Sequence, residues 1–323
     1  MKKLILAIFF LACGCKLFAF NSDDAAQELL HTAKVQADLF TKDAKPFQLD
    51  VDFVAQIKTP LQGHLTLKWE SDDHWWRKIA MSDFVQVDIR NGEKQFTSRN
   101  ASFTPVKIDE LIHMLEFAER PERSVKTAKN KVENGMEIAC LRSERKEIEI
   151  HDICLNSASH EILRDEWTLG EDEKRMERYS AYSDFQAYRY PRKLELLSNG
   201  RKMITATVTS LTMSAFDQGL LVPPQGAIER RHCKDMTEPV RVKGQQPEYP
   251  ASASQNRVNT DNAVVFTIAT DGSVSNIHLL RSSTQAMDDA MLEAVKAWRF
   301  RPAMCGTEPV VSDLTVFLSF RFH

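Results

Sequence analysis

Ala263-Val264-Val265-Phe266-Thr267-Ile268-Ala269-Thr270-Asp271-Gly272 reads as a β-branched, apolar strand running into a dipeptide suited to a tight hairpin turn. A second strand is expected from Val274 to Arg281. Val264, Phe266 and Ile268 share one face, while Val274 is out of step with Ile277 and Leu279, so a bulge is expected near Ser275-Asn276. Ser282-Ser283-Thr284 then precedes a helix from Ala286 to Ala297, whose early Asp288 and Asp289 suit the positive end of the helix dipole. Trp298-Arg299-Phe300-Arg301-Pro302 ends that helix, with Trp298 and Phe300 expected in the core and Arg299 and Arg301 outside. A last strand is expected from Val310 to Phe322. Upstream, the prolines of Pro247-Glu248-Tyr249-Pro250 hold the chain extended. The last 77 residues thus read as one compact ββαβ unit.

The succession P-x-Y-P, D-G, W-R-F-x-P resembles the C-terminal domain of TonB-type energy transducers, over about a quarter of the chain. One departure is Asp261-Asn262, where many members of that family carry Gly; Asp and Asn tolerate left-handed backbone better than most residues. The resemblance implies that the final strand captures a short extended segment of a TonB-dependent outer-membrane transporter. Val310, Val311, Ser312, Asp313, Leu314, Thr315, Val316, Phe317, Leu318, Ser319 and Phe320 would carry that role. Leu314, Val316, Leu318, Phe320 and Phe322 alternate with polar residues and Phe317, as in a sheet covered on one face. The edges of a three-stranded sheet have unpaired main-chain groups that can add a foreign strand. Family members also engage an inner-membrane motor complex through an uncleaved helix with a Ser/His pair, and residues 1–20 contain neither.

At the other end, Met1-Lys2-Lys3 precedes the apolar run Leu4–Cys15, and Lys16-Leu17-Phe18-Ala19 follows. This is the pattern of a secretory signal, with cleavage expected after Ala19; lipid attachment at Cys13 and an uncleaved anchor are the alternatives. Twelve apolar residues span about 18 Å as a helix, against a bilayer core of roughly 30 Å. The expected location is therefore the periplasm or cell envelope. Cys140, Cys154, Cys233 and Cys305 remain, an even number that points to disulfides in an exported chain. The favoured pairing joins Cys140 to Cys154, on adjacent expected strands, and Cys233 to Cys305, which would pin the linker to the C-terminal unit. No metal site is expected: C-x-x-C is missing, and His151 and His232 look incidental.

The chain has 42 basic and 45 acidic residues and no basic stripe, which argues against a nucleic-acid partner. The expected organisation is a signal peptide at 1–19, a β-rich periplasmic domain at 20–222, a linker at 223–246 and the TonB C-terminal-like domain at 247–323. The fold class is α+β, with a large antiparallel, half-barrel-like sheet before the small ββαβ unit.

In the larger domain, Asn21 or Ser22 can cap a helix with Ala26, Leu29, Leu30, Ala33, Ala37 and Phe40 at helical spacing. Strands are expected at Phe47–Ile57, Gly63–Glu70, Trp75–Met81, Phe84–Arg90 and Glu93–Arg99, with Asn91-Gly92 as hairpin turn. A short helix, Asp109–Phe117, interrupts them, with Pro121 at its exit. Strands resume at Met136–Arg142, Lys146–Cys154, Glu161–Thr168, Arg175–Phe185, Arg192–Leu197 and Lys202–Met213, with a hairpin at Asn199-Gly200. Tyr182-Ser183-Asp184-Phe185, Tyr190-Pro191-Arg192-Lys193-Leu194 and Asn199-Gly200 are similar to the closing strands of LolA- and LolB-like lipoprotein carriers. That resemblance implies an unclosed barrel holding acyl chains. Trp69, Trp75 and Trp76 would then line a concavity; otherwise they are core or rim aromatics.

Catalytic motifs are missing: there is no G-x-S-x-G, no phosphate-binding G-x-x-x-x-G-K-[ST], no G-x-G-x-x-G and no H-E-x-x-H. Asp72, Asp73 and His74 read as a charged turn, and His113 as a surface histidine. Neither enzyme activity nor a cofactor is expected. The expected function is docking to an outer-membrane transporter by strand addition in support of energised transport. The alternatives are a periplasmic lipid or lipoprotein carrier that uses the C-terminal unit for docking, and a structural module that pairs with itself as a homodimer.

Overall fold

A computed structural model describes residues 22–56, 59–120, 124–146, 149–169, 173–231, 233, 236–254 and 260–320. The expected signal, Asn21, Ile57, Pro121, His232, Arg321 and Phe322 lie outside the described residues. The chain begins with helix α1 (Ser22–Ala37) and five strands, β1 (Phe47–Gln56), β2 (Pro60–Ser71), β3 (His74–Met81), β4 (Phe84–Asn91) and β5 (Lys94–Arg99). Helix α2 (Val106–Leu115) follows. Seven more strands complete the meander: β6 (Ser124–Glu133), β7 (Met136–Lys146), β8 (Glu149–Asn156), β9 (Ile162–Leu169), β10 (Glu173–Phe185), β11 (Tyr188–Ser198) and β12 (Arg201–Met213).

β1 pairs with β2 on one side and β12 on the other, so the chain's two halves meet mid-sheet. The strand order runs β5-β4-β3-β2-β1-β12-β11-β10-β9-β8-β7-β6, and every pairing in it is antiparallel. The sheet is not closed into a barrel. Its concave face is occupied rather than empty. Ala26, Leu30, Ala33 and Ala37 of α1, at i, i+4, i+7 and i+11, are buried together with Ile108, Leu111, Met114 and Leu115 of α2. Phe47, Leu49, Val51, Phe53 and Ala55 alternate inward from β1 onto the same core.

Turn chemistry sets the register. Asn199 and Gly200 both take positive φ (46° and 76°), as a two-residue I′ loop requires, and so do Asn134 and Gly135 (51° and 78°). The hairpin expected at Asn91-Gly92 falls one residue later: Asn91 pairs with Lys94, and the loop is Gly92-Glu93 with positive φ on its first residue. β6 was not expected, because SVKTAKNKVE carries lysines where a strand usually alternates apolar residues.

Residues 223–246, expected as a linker, contain three short strands that stitch the sheets together. β13 (Ile228–Arg231) pairs with β5 and becomes the thirteenth strand of the large sheet. β14 (Met236–Thr237) and β15 (Val240–Lys243) pair instead with strands of the C-terminal unit. That unit holds a short helix α3 (Ala251–Ser254), β16 (Thr260–Ile268), β17 (Val274–Arg281) and helix α4 (Gln285–Lys296). It ends with β18 (Arg299–Arg301), β19 (Ala303–Cys305), β20 (Glu308–Val310) and β21 (Ser312–Phe320). The expected single last strand is thus two, with Val310 in β20 opposite Ala303.

Val264, Phe266, Ile268, Met287, Met291, Val295, Trp298 and Phe300 form a separate core under α4. The bulge falls where the alternation placed it: Val265 pairs with His278 but Thr267 with Ser275, and Asn276 takes φ 46°. Asn262 is not a left-handed turn residue. It lies in β16, fully buried, and its amide donates to the Asp288 carboxylate at 2.7 Å, tying sheet to helix. Disulfides join Cys140 to Cys154, opposite each other on β7 and β8, and Cys233 to Cys305. Among the described residues no helix is long and apolar enough to cross a membrane.

Candidate functional site

β16 is the middle strand of its sheet, flanked by β17 and β21. Ser312 to Phe320 of β21 pair with Ile268 to Thr260. Among the described residues, no strand pairs with the other side. Leu314, Val316 and Leu318 point to the helix-covered core yet stay half-exposed, whereas their neighbours Val264, Phe266 and Ile268 are sealed. That gradient marks an open edge. Val310 lies outside this edge and is buried, Val311 sits between the two strands, and Ser319 belongs to β21.

The opposite face of β21 carries Asp313, Thr315 and Phe317. Asp313 accepts a hydrogen bond from Thr267 Oγ1 at 2.7 Å and lies 3.5 Å from the guanidinium of Arg230 on β13. Phe317 is 48% exposed. This face looks onto the mouth of the large sheet. Phe103, in the loop before α2, meets His278 of β17 edge-on at 5.2 Å and carries the Arg99 guanidinium over its ring. Arg231 bridges Glu308 and Glu93.

Two clefts open between the sheets. The larger, about 800 Å³, lies under Ala263, Leu279, Leu280 and Arg281 and is bounded by Phe103, Lys107, Leu169 and Arg175. The smaller, about 530 Å³, takes only Thr315 and Phe317 from the small sheet, so it lies under β21, an edge strand of that sheet. Its other wall is Val106, Asp109, Glu110 and His113 of α2, with Trp167, Leu169 and Leu196 beneath.

A chain of ion pairs floors the smaller cleft. Arg120 clasps Glu177 through both nitrogens (2.6 and 3.0 Å), reaches Asp165 at 3.6 Å and donates to the His113 carbonyl. Burial alone would lower the Arg120 guanidinium, but Glu177 outweighs it and holds it above its ordinary value. His151 Nδ1 lies 2.7 Å from Asp165 Oδ1, and its ring stacks on Trp167 at 5.0 Å. Arg175 joins Glu110 (2.5 Å) and Glu173 (2.9 Å). Asp109 differs from these. Among the described residues its carboxylate accepts no hydrogen bond and forms no close ion pair, and desolvation pushes it up to about 7. Arg77 and Arg99, at longer range, pull the other way.

Sequence reading found the edge strand but not this cleft. His151, taken as incidental, is buried in the cleft floor, and Asp109, Arg120 and Glu177 carry no local motif. His113 is exposed at the rim, as expected. Trp69 is core, stacked on Phe47 at 5.2 Å, and Trp75 packs half-buried beside it. Among the described residues no His, Cys, Asp and Glu group could hold a metal ion.

Residues 245–322 match the sequence family of the Gram-negative bacterial TonB protein C-terminal domain. No curated protein matches the chain significantly. Solved structures that align include a LolA superfamily protein from Nitrosomonas europaea, with 10% identity and a TM-score of 0.45 over 61% of this chain and 97% of that one. The TonB C-terminal domain of Pseudomonas aeruginosa aligns over 28% of this chain and 89% of its own, with 25% identity and a TM-score of 0.24. The MucA/MucB complex of Pseudomonas aeruginosa aligns over 85% of this chain and 97% of its own, with 11% identity and a TM-score of 0.27.

Proposed function

We propose that this chain is a cell-envelope protein that captures an extended segment of an outer-membrane transporter as a fourth strand beside β21. The observation that carries this reading is the outward main chain of Ser312–Leu318, which pairs with no strand among the described residues and is flanked by half-exposed Leu314, Val316 and Leu318. A strand laid there gains main-chain hydrogen bonds and covers those three side chains at once. The TonB C-terminal match over residues 245–322 supports a transporter as the source of the strand. The chemistry is binding; nothing in the reading requires a cofactor. Docking is also independent of force transmission from an inner-membrane motor, which would run through a membrane anchor.

The test is titration of the full chain with peptides taken from the periplasmic N-terminal segments of such transporters. Heat release is expected, with slowed amide exchange at Ser312–Phe320. No heat with any such peptide, or slowing at β17 instead, overturns the reading.

A further inference from the structure

Building on the strand-addition reading, we infer that the large domain supplies the selective half of the docking site: the cleft beside β21 selects an extended peptide that presents a lysine or arginine to Asp109 and large apolar side chains to Trp167, Leu169 and Phe317.

The argument starts from placement. A strand added to β21 alternates its side chains between two faces. One set continues the helix-covered face of Leu314 and Val316. The other set continues the face of Thr315 and Phe317, which overlooks the smaller cleft. The cleft is therefore where half of an incoming peptide's side chains must go, and α2 is its far wall.

Its lining sets the apolar groups of Val106, Trp167, Leu169, Leu196 and Phe317 among the ion pairs of the floor and the carboxylates of α2. The two arginines of the floor are committed: Arg120 to Glu177 and Asp165, Arg175 to Glu110 and Glu173. Asp109 is the carboxylate left without a close cation among the described residues, and it lines the cleft together with Thr315 and Phe317 of β21. Once ionised, a half-buried carboxylate of this kind gains from an incoming cation and repels an anion. Charge complementarity thus selects a basic residue at one cleft-facing position, and the rings of Trp167 and Phe317 select apolar ones beside it.

The probe is a decapeptide with valine at alternate positions and lysine and leucine between them, titrated into the full chain. Its analogue carries glutamate for each lysine. The lysine peptide is expected to bind at least tenfold tighter. Asp109→Asn should narrow that preference to threefold or less, and Asp109→Glu should restore it, which separates charge from a fold defect. Equal affinity for both peptides, or a preference untouched by Asp109→Asn, overturns the inference. Methylating alternate amide nitrogens of the lysine peptide, in each of the two phases, tests the underlying reading separately. One phase should lose binding; retention in both overturns strand addition itself. Failure of every peptide overturns both readings, and a dimer found under those conditions would name a second copy of β21 as the occupant.

Discussion

Gly272 is the residue whose identity the fold leaves no freedom over. It takes φ 78° in the β16–β17 hairpin, and a Cβ there would stand 1.8 Å from the Phe300 carbonyl oxygen. The backbone itself closes the space, because Phe300 N donates to Gly272 O at 2.9 Å. Gly272→Ala is expected to cost about 3 kcal/mol, from overpacking and left-handed strain together, read as a lower urea midpoint at unchanged slope. Asp288 is a second such position. Its carboxylate accepts from Asn262, Ser282 and the Ser283 amide while almost wholly buried. Asp288→Ala strands those donors and should cost about 3 kcal/mol by the same measurement. Asp109 works in the opposite sense. A carboxyl raised to about 7 holds a proton that the unfolded chain has released above about pH 4. The fold therefore gains from that proton at low pH and loses the gain as pH rises through 7. Asp109→Asn, neutral throughout, should be more stable than the parent at pH 8 by about 2 kcal/mol, allowing for its partial contact with solvent, with the difference shrinking towards pH 4. Equal or lower stability at pH 8 would contradict the desolvated placement.

Among the elements, the short strands of residues 228–243 have the largest consequence for their size. Each satisfies an edge that would otherwise be bare: β13 covers β5, while β14 and β15 cover β19 and β18. The Cys233–Cys305 bridge closes 72 residues of chain across this join. By the chain-entropy account such a loop is worth about 4 kcal/mol, against about 3 for the 14-residue Cys140–Cys154 loop. Replacing both Cys233 and Cys305 by serine should therefore lower the melting temperature of the C-terminal unit more than the matching change at Cys140 and Cys154 lowers that of the large sheet. Calorimetry that resolves the two transitions checks this, and a larger drop from the Cys140/Cys154 change would be against it.

At the scale of the molecule, the two sheets are held together by direct contacts rather than strung on a tether. An extended 24-residue linker would reach about 75 Å. The observed path turns back on itself, with Arg230–Asp313, Arg231–Glu308 and Phe103–His278 closing the gap. A compact chain of this length has a radius of gyration of about 20 Å. Small-angle scattering should give a value within a few ångströms of that, and one near 30 Å would mean that the C-terminal unit swings free. The cleft exists only while the two sheets stay together.

The C-terminal unit was readable from local signals, since each of its turns, faces and anchors is announced within a few residues. Asp271-Gly272, the out-of-step Val274 and the Trp298/Phe300 pair each produce their effect through neighbours in sequence. β6 escaped because its lysines mask the alternation, although Asn134-Gly135 beside it is a hairpin dipeptide of the same kind as Asn199-Gly200. The cleft could not be read in this way. Asp109, Arg120, Trp167, Glu177 and Phe317 are spread over more than 200 positions, and only the return of β12 to β1 and of β13 to β5 places them within reach of one another. Side-chain alternation and turn preference are properties of adjacent residues, and so the sequence determined the strands, turns and helix of the C-terminal unit. Desolvation and charge pairing depend on which distant groups share a space, and so only the tertiary structure decided what β21 would face.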